Sequence, residues 1–149
     1  MFIETDLESV LTHLNKLTPE TKPEWGQMSA QRMVEHLTDT LRIATGEQPQ
    51  ELLIPEEKLE RMVAFLYTDK PMAKNMEVPF AKPDTPLRHE ELELAIDEFV
   101  EVYLEFQELF AENPELKTVH AFYGPLNYEQ WDLLNKKHLT HHFTQFGIL

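Results

Sequence analysis

The sequence predicts an all-α fold, a four-helix bundle with one extra short helix. Apolar residues recur at helical spacing in five segments, and no segment shows the strict alternation of a half-buried strand. Prolines stand between these segments or at their start. The chain has 149 residues, of which 42% are hydrophobic, enough for one core but short of two. We therefore expect a single domain over residues 1–149.

The first two helices are predicted at about residues 4–17 and 29–45. Ser29 has the side chain of a good N-cap, and Gly46 is suited to end the second helix. The apolar residues of this second helix recur at helical spacing, namely Ala30, Met33, Val34, Leu37, Leu41 and Ala44.

The third and fourth helices are predicted at about residues 55–68 and 89–112. The fourth has one apolar stripe made of Leu92, Ala95, Ile96, Phe99, Tyr103, Phe106 and Phe110. Its glutamates fall largely elsewhere and predict a solvated face rather than a cation site: Glu91, Glu98, Glu101, Glu105, Glu108 and Glu112.

The connection at residues 69–88 has too many prolines for a helix and is long for a loop. It either crosses the end of the bundle or partly covers a pocket. The last helix is predicted at about 127–146, where Asn127 and Gln130 have the spacing of a capping box and Gly147 ends the helix.

Composition excludes several classes of function. The formal charge of −14 disfavours nucleic acid and anionic membranes as partners, and the absence of cysteine excludes disulfides, thiolate ligands and Cys nucleophiles. The sequence contains no glycine-rich phosphate-binding loop. It also contains no run of about 18 apolar residues, which a membrane-spanning helix would need. Ser9 and Ser29 lack the glycine-flanked elbow of a serine nucleophile. We expect a soluble, cytoplasmic protein.

The histidines near the C-terminal end carry the strongest functional signal. His138 and His142 stand four residues apart, so both point to one side of the last helix, about 6 Å apart along its axis. Trp131, Asn135 and Gln145 share that face, which predicts that the pair points inward, whereas Lys136, Lys137 and Thr140 fall opposite. His141 lies on the flank as a supporting or surface residue.

Two histidines do not complete a metal site, so a third ligand has to come from another helix. His36, on the flank of the second helix's apolar stripe, is the candidate, although it could also be an ordinary helix-side histidine. Leu139 occupies the position of the glutamate in HExxH, which disfavours peptidase chemistry, and no ExxH pattern of a di-iron bundle occurs. A mononuclear site is the better interpretation.

Two segments, "EWGQMSAQRMVEHLTDTL" and "HAFYGPLNYEQWDLLNKKHLTHHFTQFG", resemble the motif blocks of the DinB/YfiT-like four-helix-bundle superfamily, in particular a bacterial branch of undefined function. In that branch a Trp-Gly-x-Met motif precedes the helix with one metal-binding histidine. A Phe-x-Gly-x-Leu turn and a Trp-bearing helix then lead into Lys-His-x-x-His-His-x-x-Gln-Phe-Gly. Between the blocks the similarity is only that of helix lengths and order.

The resemblance carries over position by position. Ala121 departs from it, since a proline is expected after His120, and this affects the turn rather than the ligands. The first motif is matched by Trp25, Gly26 and Met28, the turn and its helix by Phe122, Gly124, Leu126 and Trp131, the last signature by residues 138–147, and the three metal ligands by His36, His138 and His142.

The resemblance implies a bundle that binds one divalent ion, often Zn or Ni, through these three histidines. Characterised relatives are metal-dependent enzymes that handle low-molecular-weight thiols, as S-transferases or isomerases, and relatives often form homodimers. A shared fold does not fix a shared reaction. We therefore expect a small-molecule substrate, with a low-molecular-weight thiol as one candidate.

Two functions remain open from the sequence. The favoured one is a mononuclear metal enzyme acting on a small molecule by transfer or hydrolysis; no catalytic residue is assigned. The alternative is a non-catalytic bundle that binds a small molecule or a protein, with buried or proton-sensitive histidines. Pocket candidates are Phe122, Tyr123, Trp131 and Gln145; Gln145 or Asn135 is expected to orient a ligand imidazole or a water, and Asp39 is interpreted as a solvated carboxylate.

Overall fold

The computed structural model describes residues 2–76, 78–79 and 81–149 of the chain, so positions 77 and 80 of the predicted 69–88 connection lie outside the described residues. The elements in chain order are α1 (Leu7–Leu14), α2 (Ala30–Thr45), a 3-10 turn (Glu56–Lys58), α3 (Leu59–Leu66), α4 (Leu92–Glu112), β1 (Thr118–His120), β2 (Gly124–Leu126) and α5 (Tyr128–Gln145). This mostly helical architecture agrees with the predicted all-α class. The small sheet was not predicted.

Among the described helices, α1 and α3 fall furthest short of their predicted lengths. The Asp6 carboxylate accepts a hydrogen bond from the backbone N–H of Ser9, and α1 therefore begins at Leu7. The Thr68 hydroxyl donates to the carbonyl of Phe65 and closes the end of α3. The described chain thus has three long helices, α2, α4 and α5, and two of eight residues each.

The second helix has the predicted caps and packs chiefly against α4. The Ser29 hydroxyl accepts the backbone N–H of Arg32 at 3.0 Å, and Gly46 ends the helix with a left-handed φ of 84°. The predicted apolar stripe of α2 is buried throughout, and in the stripe of α4 all but Ile96 are buried. These two stripes form much of the hydrophobic core.

The fourth helix begins at Leu92 rather than near residue 89, because the preceding backbone is bound to α2. The Glu35 carboxylate accepts the N–H of Arg88 at 2.7 Å, and Gln31 donates to the carbonyl of His89 at 2.7 Å. Glu98 is the exception on the predicted solvated face of α4. Its carboxylate is 18% exposed and contacts Arg42, Arg88 and His89.

The antiparallel strands pair Thr118 with Leu126 and His120 with Gly124, around a three-residue loop. Gly124 has a φ of 76°, which suits the residue after such a loop. Strands of three residues are too short to display an alternating pattern, so this element had no sequence signal. The Thr118 hydroxyl donates to the carbonyl of Ala44 and accepts the indole N–H of Trp131, which joins the hairpin to α2 and α5.

The fifth helix is buried on nearly every side. Asn127 and Gln130 form the predicted capping box. Lys137 and Thr140, on the side opposite the histidine pair, are only 1% and 9% exposed, so this face is interior as well. The Lys137 ammonium donates to the carbonyls of Thr68 and Lys70, and burial lowers its pKa. None of the described helices is both long and apolar enough to cross a membrane.

Candidate metal centre

The structure brings together the three histidines that the sequence singles out. His36 projects from the middle of α2, and His138 and His142 project from consecutive turns of α5. One ring nitrogen from each lies within 4.8 Å of the other two. The Nε2 atom of His138 lies 2.9 Å from Nε2 of His36 and 3.1 Å from Nε2 of His142.

These separations suit a shared ion. Two imidazole nitrogens that each stand about 2.0–2.1 Å from one zinc ion are about 3–3.4 Å apart. Both pairs that involve His138 are close to this range. The group formed by His36, His138 and His142 could therefore hold a metal ion.

The three rings are in the protonation state that metals require. Burial lowers the pKa of His36 and His138 well below the usual 6.5, with neighbouring histidines adding to the effect. Burial lowers the pKa of His142 to about 4. Neutral imidazoles keep a free nitrogen lone pair at neutral pH. His36 and His142 are buried, whereas His138 is partly exposed.

Gln145 fixes which nitrogen of His142 is free. The backbone carbonyl of Trp25 can only accept a hydrogen bond, and it lies 2.9 Å from the Gln145 Nε2, which must therefore donate. The Gln145 Oε1 then accepts from the His142 Nδ1 at 2.7 Å. With its proton on Nδ1, neutral His142 directs the lone pair of Nε2 at His138. This confirms the predicted orienting role of Gln145.

Replacing Gln145 with Leu is expected to weaken metal binding about 10- to 100-fold, because the His142 ring loses the partner that sets its tautomer. Competition against a chromophoric chelator measures this affinity. The exposed Gln48→Leu makes the same change of side chain at the surface and should bind as tightly as the wild type. Equal affinities in Gln145→Leu and the wild type would contradict the orienting role.

Among the described residues, the Asn135 side chain makes no hydrogen bond to His36, His138 or His142. Its side chain is 4% exposed, and no acceptor among the described residues lies within hydrogen-bonding range of Nδ2. It lines a small cavity beside His138. The centre of a water molecule can occupy a volume of about 10 Å³ in this cavity. That is about the minimum for one water. The rest of the lining is Leu37, Leu41, Phe99, Tyr103 and Leu139.

Of the predicted pocket residues, Trp131 is a core residue that braces the hairpin through Thr118. The Tyr123 ring lies 4.9 Å from the His120 ring, centre to centre. His120 is buried, and the sequence analysis assigned it a position before the turn but no role near the three histidines. Its Nδ1 accepts the backbone N–H of Phe122, burial lowers its pKa to about 4, and a charge on it would lower the pKa of His138.

His141 and Asp39 complete the surroundings. His141 lies on the flank as predicted, 5.6 Å from the Trp25 ring in an edge contact, and both burial and the charge of Lys74 lower its pKa. The prediction that Asp39 is a solvated carboxylate is wrong. Its side chain is 16% exposed and pairs with Arg88 at 2.7 Å, because the chain between α3 and α4 returns across this part of α2.

Comparisons of this chain with protein-family models, curated proteins and solved structures give no match. The resemblance to the DinB/YfiT-like superfamily therefore stays a prediction.

Proposed function

We propose that this chain is a mononuclear divalent-metal enzyme that acts on a small molecule, with His36, His138 and His142 as the ligands. The observation that carries the proposal is the convergence of three neutral imidazoles from two helices, two of them buried and one partly exposed, with His142 oriented by Gln145. The Nε2 atom of His138 lies within hydrogen-bonding distance of Nε2 of both other histidines, so the three ring nitrogens lie close together. They form a nitrogen donor set, which suits zinc or nickel.

A divalent ion in this site would lower the pKa of a water or thiol bound to it. The protein's contribution is to hold three uncharged ligands, which leave the ion's charge unreduced. His138 is the partly exposed member, so a substrate approaches the group at its ring. The chain has no cysteine, and a thiol reaction would therefore take its sulfur from a cosubstrate. We propose a thiol-dependent transferase or a hydrolase on these grounds.

The test is elemental analysis of untagged protein that has never touched a metal column. We expect about one ion per chain in the wild type, and its loss in His36→Ala and in His142→Ala with the helical circular dichroism retained. His141→Ala, which changes the neighbouring histidine of the same helix, is the matched control and should keep the ion. Metal uptake that is unchanged in His36→Ala and His142→Ala would count against the site.

A non-catalytic bundle that binds another protein is the second candidate, and the small size of the cavity beside His138 favours it over a small-molecule enzyme. About 10 Å³ accommodates one water rather than an organic substrate. Wild-type protein that takes up no ion after incubation with Zn or Ni would select this function over the enzyme.

A further inference from the structure

Arg32 is a buried cation with unused hydrogen-bond donors. Its side chain is 2% exposed, and charged side chains are almost never buried to this degree unless they are paired. Its Nε donates to the carbonyl of Lys82 at 3.2 Å, and its Nη1 lies 3.5 Å from the Asp39 carboxylate. Neither Nη1 nor Nη2 makes a hydrogen bond with any described residue.

Arg32 belongs to the same helix face as His36, one member of the three-histidine group. Arg32 precedes His36 by one helical turn and Asp39 by about two, so all three share one side of α2. Because Nη1 reaches the Asp39 carboxylate, the Arg32 side chain passes the turn that contains His36. The charge of Arg32 is accordingly close enough to lower the pKa of His36.

Two cationic side chains lie near the site, although the chain as a whole has a formal charge of −14. Arg32 lowers the pKa of His36, and Lys74 lowers the pKa of His141 and lies over the Trp25 ring at 4.2 Å. A divalent ion would add to this charge, and the site would then favour an anionic ligand.

We propose that the small molecule bound at the three-histidine site carries a carboxylate, which Nη1 and Nη2 of Arg32 hold by hydrogen bonds. The planar guanidinium fork matches the two oxygens of a carboxylate. Asp39 already offsets part of the Arg32 charge, so a monoanion fits the site better than a doubly charged phosphate. The inference rests on the proposed function, because it defines the substrate class of that metal site.

The test compares 3-mercaptopropionate with its neutral amide by calorimetric titration of zinc-loaded protein. We expect the wild type to bind the acid at least about tenfold more tightly, as a hydrogen-bonded charge pair implies. Arg32→Gln should reduce that ratio to near one, because the acid loses its charged partner. The exposed Arg61→Gln, which makes the same change of charge, should keep the wild-type ratio.

Asp39→Asn gives a second, opposite result. Removing the internal carboxylate frees Arg32, so the ratio should rise above that of the wild type, which a purely structural role of Arg32 does not predict. It also decides the question if Arg32→Gln fails to fold. The inference is overturned by a ratio near one in the wild type, by an unchanged ratio in folded Arg32→Gln, or by a ratio that does not rise in Asp39→Asn.

The metal-free protein separates this inference from the proposed function. If the wild type takes up no ion, the proposed function fails, and acetate titration followed by NMR of the arginine Nε–H groups then tests Arg32 alone. A saturable shift of the one resonance that is missing from Arg32→Gln supports the anion site, and no shift overturns it. A stronger response to inorganic phosphate than to acetate would overturn the assignment to a carboxylate.

Discussion

Lowering the pH from 7 to 5 is expected to reduce the free energy of unfolding of the metal-free protein by at least about 4 kcal/mol. Burial depresses the folded-state pKa of both His120 and His142 from 6.5 to about 4. The unfolded chain therefore binds protons first. The stability is present above pH 6.5 and is lost as the pH falls toward 4, with each histidine contributing about 2 kcal/mol by pH 5. His36 and His138 act in the same direction.

Urea unfolding at a series of pH values, in buffer with a chelator, measures this loss. His120→Asn is the informative variant, because an amide oxygen can accept the N–H of Phe122 as Nδ1 does without titrating. Its loss between pH 7 and 5 should be smaller by about 2 kcal/mol. Glu98, whose pKa is depressed to about 2, contributes only below pH 4.5 and leaves this window unaffected. A flat profile between pH 7 and 5 would refute the prediction.

Replacing Gly26 with Ala is expected to weaken metal binding about tenfold and to destabilise the fold by about 1–2 kcal/mol. Gly26 has a φ of 80°, which disfavours a side chain, and a Cβ there would stand 2.8 Å from the Gln145 Nε2. The amide would have to leave the Trp25 carbonyl, and His142 would lose its oriented partner. Gly26, in the loop before α2, is thus expected to affect the orientation of the His142 ring on α5.

Gly46→Ala is the matched control for this substitution. Gly46 has a φ of 84°, and its Cβ would only reach ordinary van der Waals contact with Thr118 at 3.8 Å. It should incur a similar backbone cost without a change in metal affinity. Chemical denaturation and chelator competition on both variants separate the two effects. An equal loss of affinity in Gly26→Ala and Gly46→Ala would show that backbone strain alone is responsible.

Local chemistry made much of the helical framework predictable. Ser29, Gly46, Asn127 and Gln130 act at helix ends through their own side chains or backbone freedom, so their roles could be inferred from a few neighbouring residues. The pairing of His138 and His142 could be predicted in the same way, since residues four positions apart lie on the same side of a helix. His36 could be predicted as the third ligand only because two separate segments of the chain resemble the motif blocks of the DinB/YfiT-like superfamily.

The features that the sequence did not predict arise from long-range contacts. Lys137 is buried because its ammonium meets carbonyls of Thr68 and Lys70, which nothing near position 137 indicates. The late start of α4 likewise depends on Glu35, more than fifty positions before Arg88. The lack of a hydrogen bond from the Arg32 Nη atoms to any described residue likewise depends on the packing around α2.

The distance along the chain between the histidines has a consequence for how the protein matures. His36 and His138 are 102 positions apart, and the Trp25 carbonyl and Gln145 are 120 apart. Contacts of such separation form only after a large loop has closed. During synthesis, the segment with His138, His142 and Gln145 leaves the ribosome long after α2. The site can therefore form only once α5 has been synthesised and has packed against α2, and an ion that binds there would be taken up after that step.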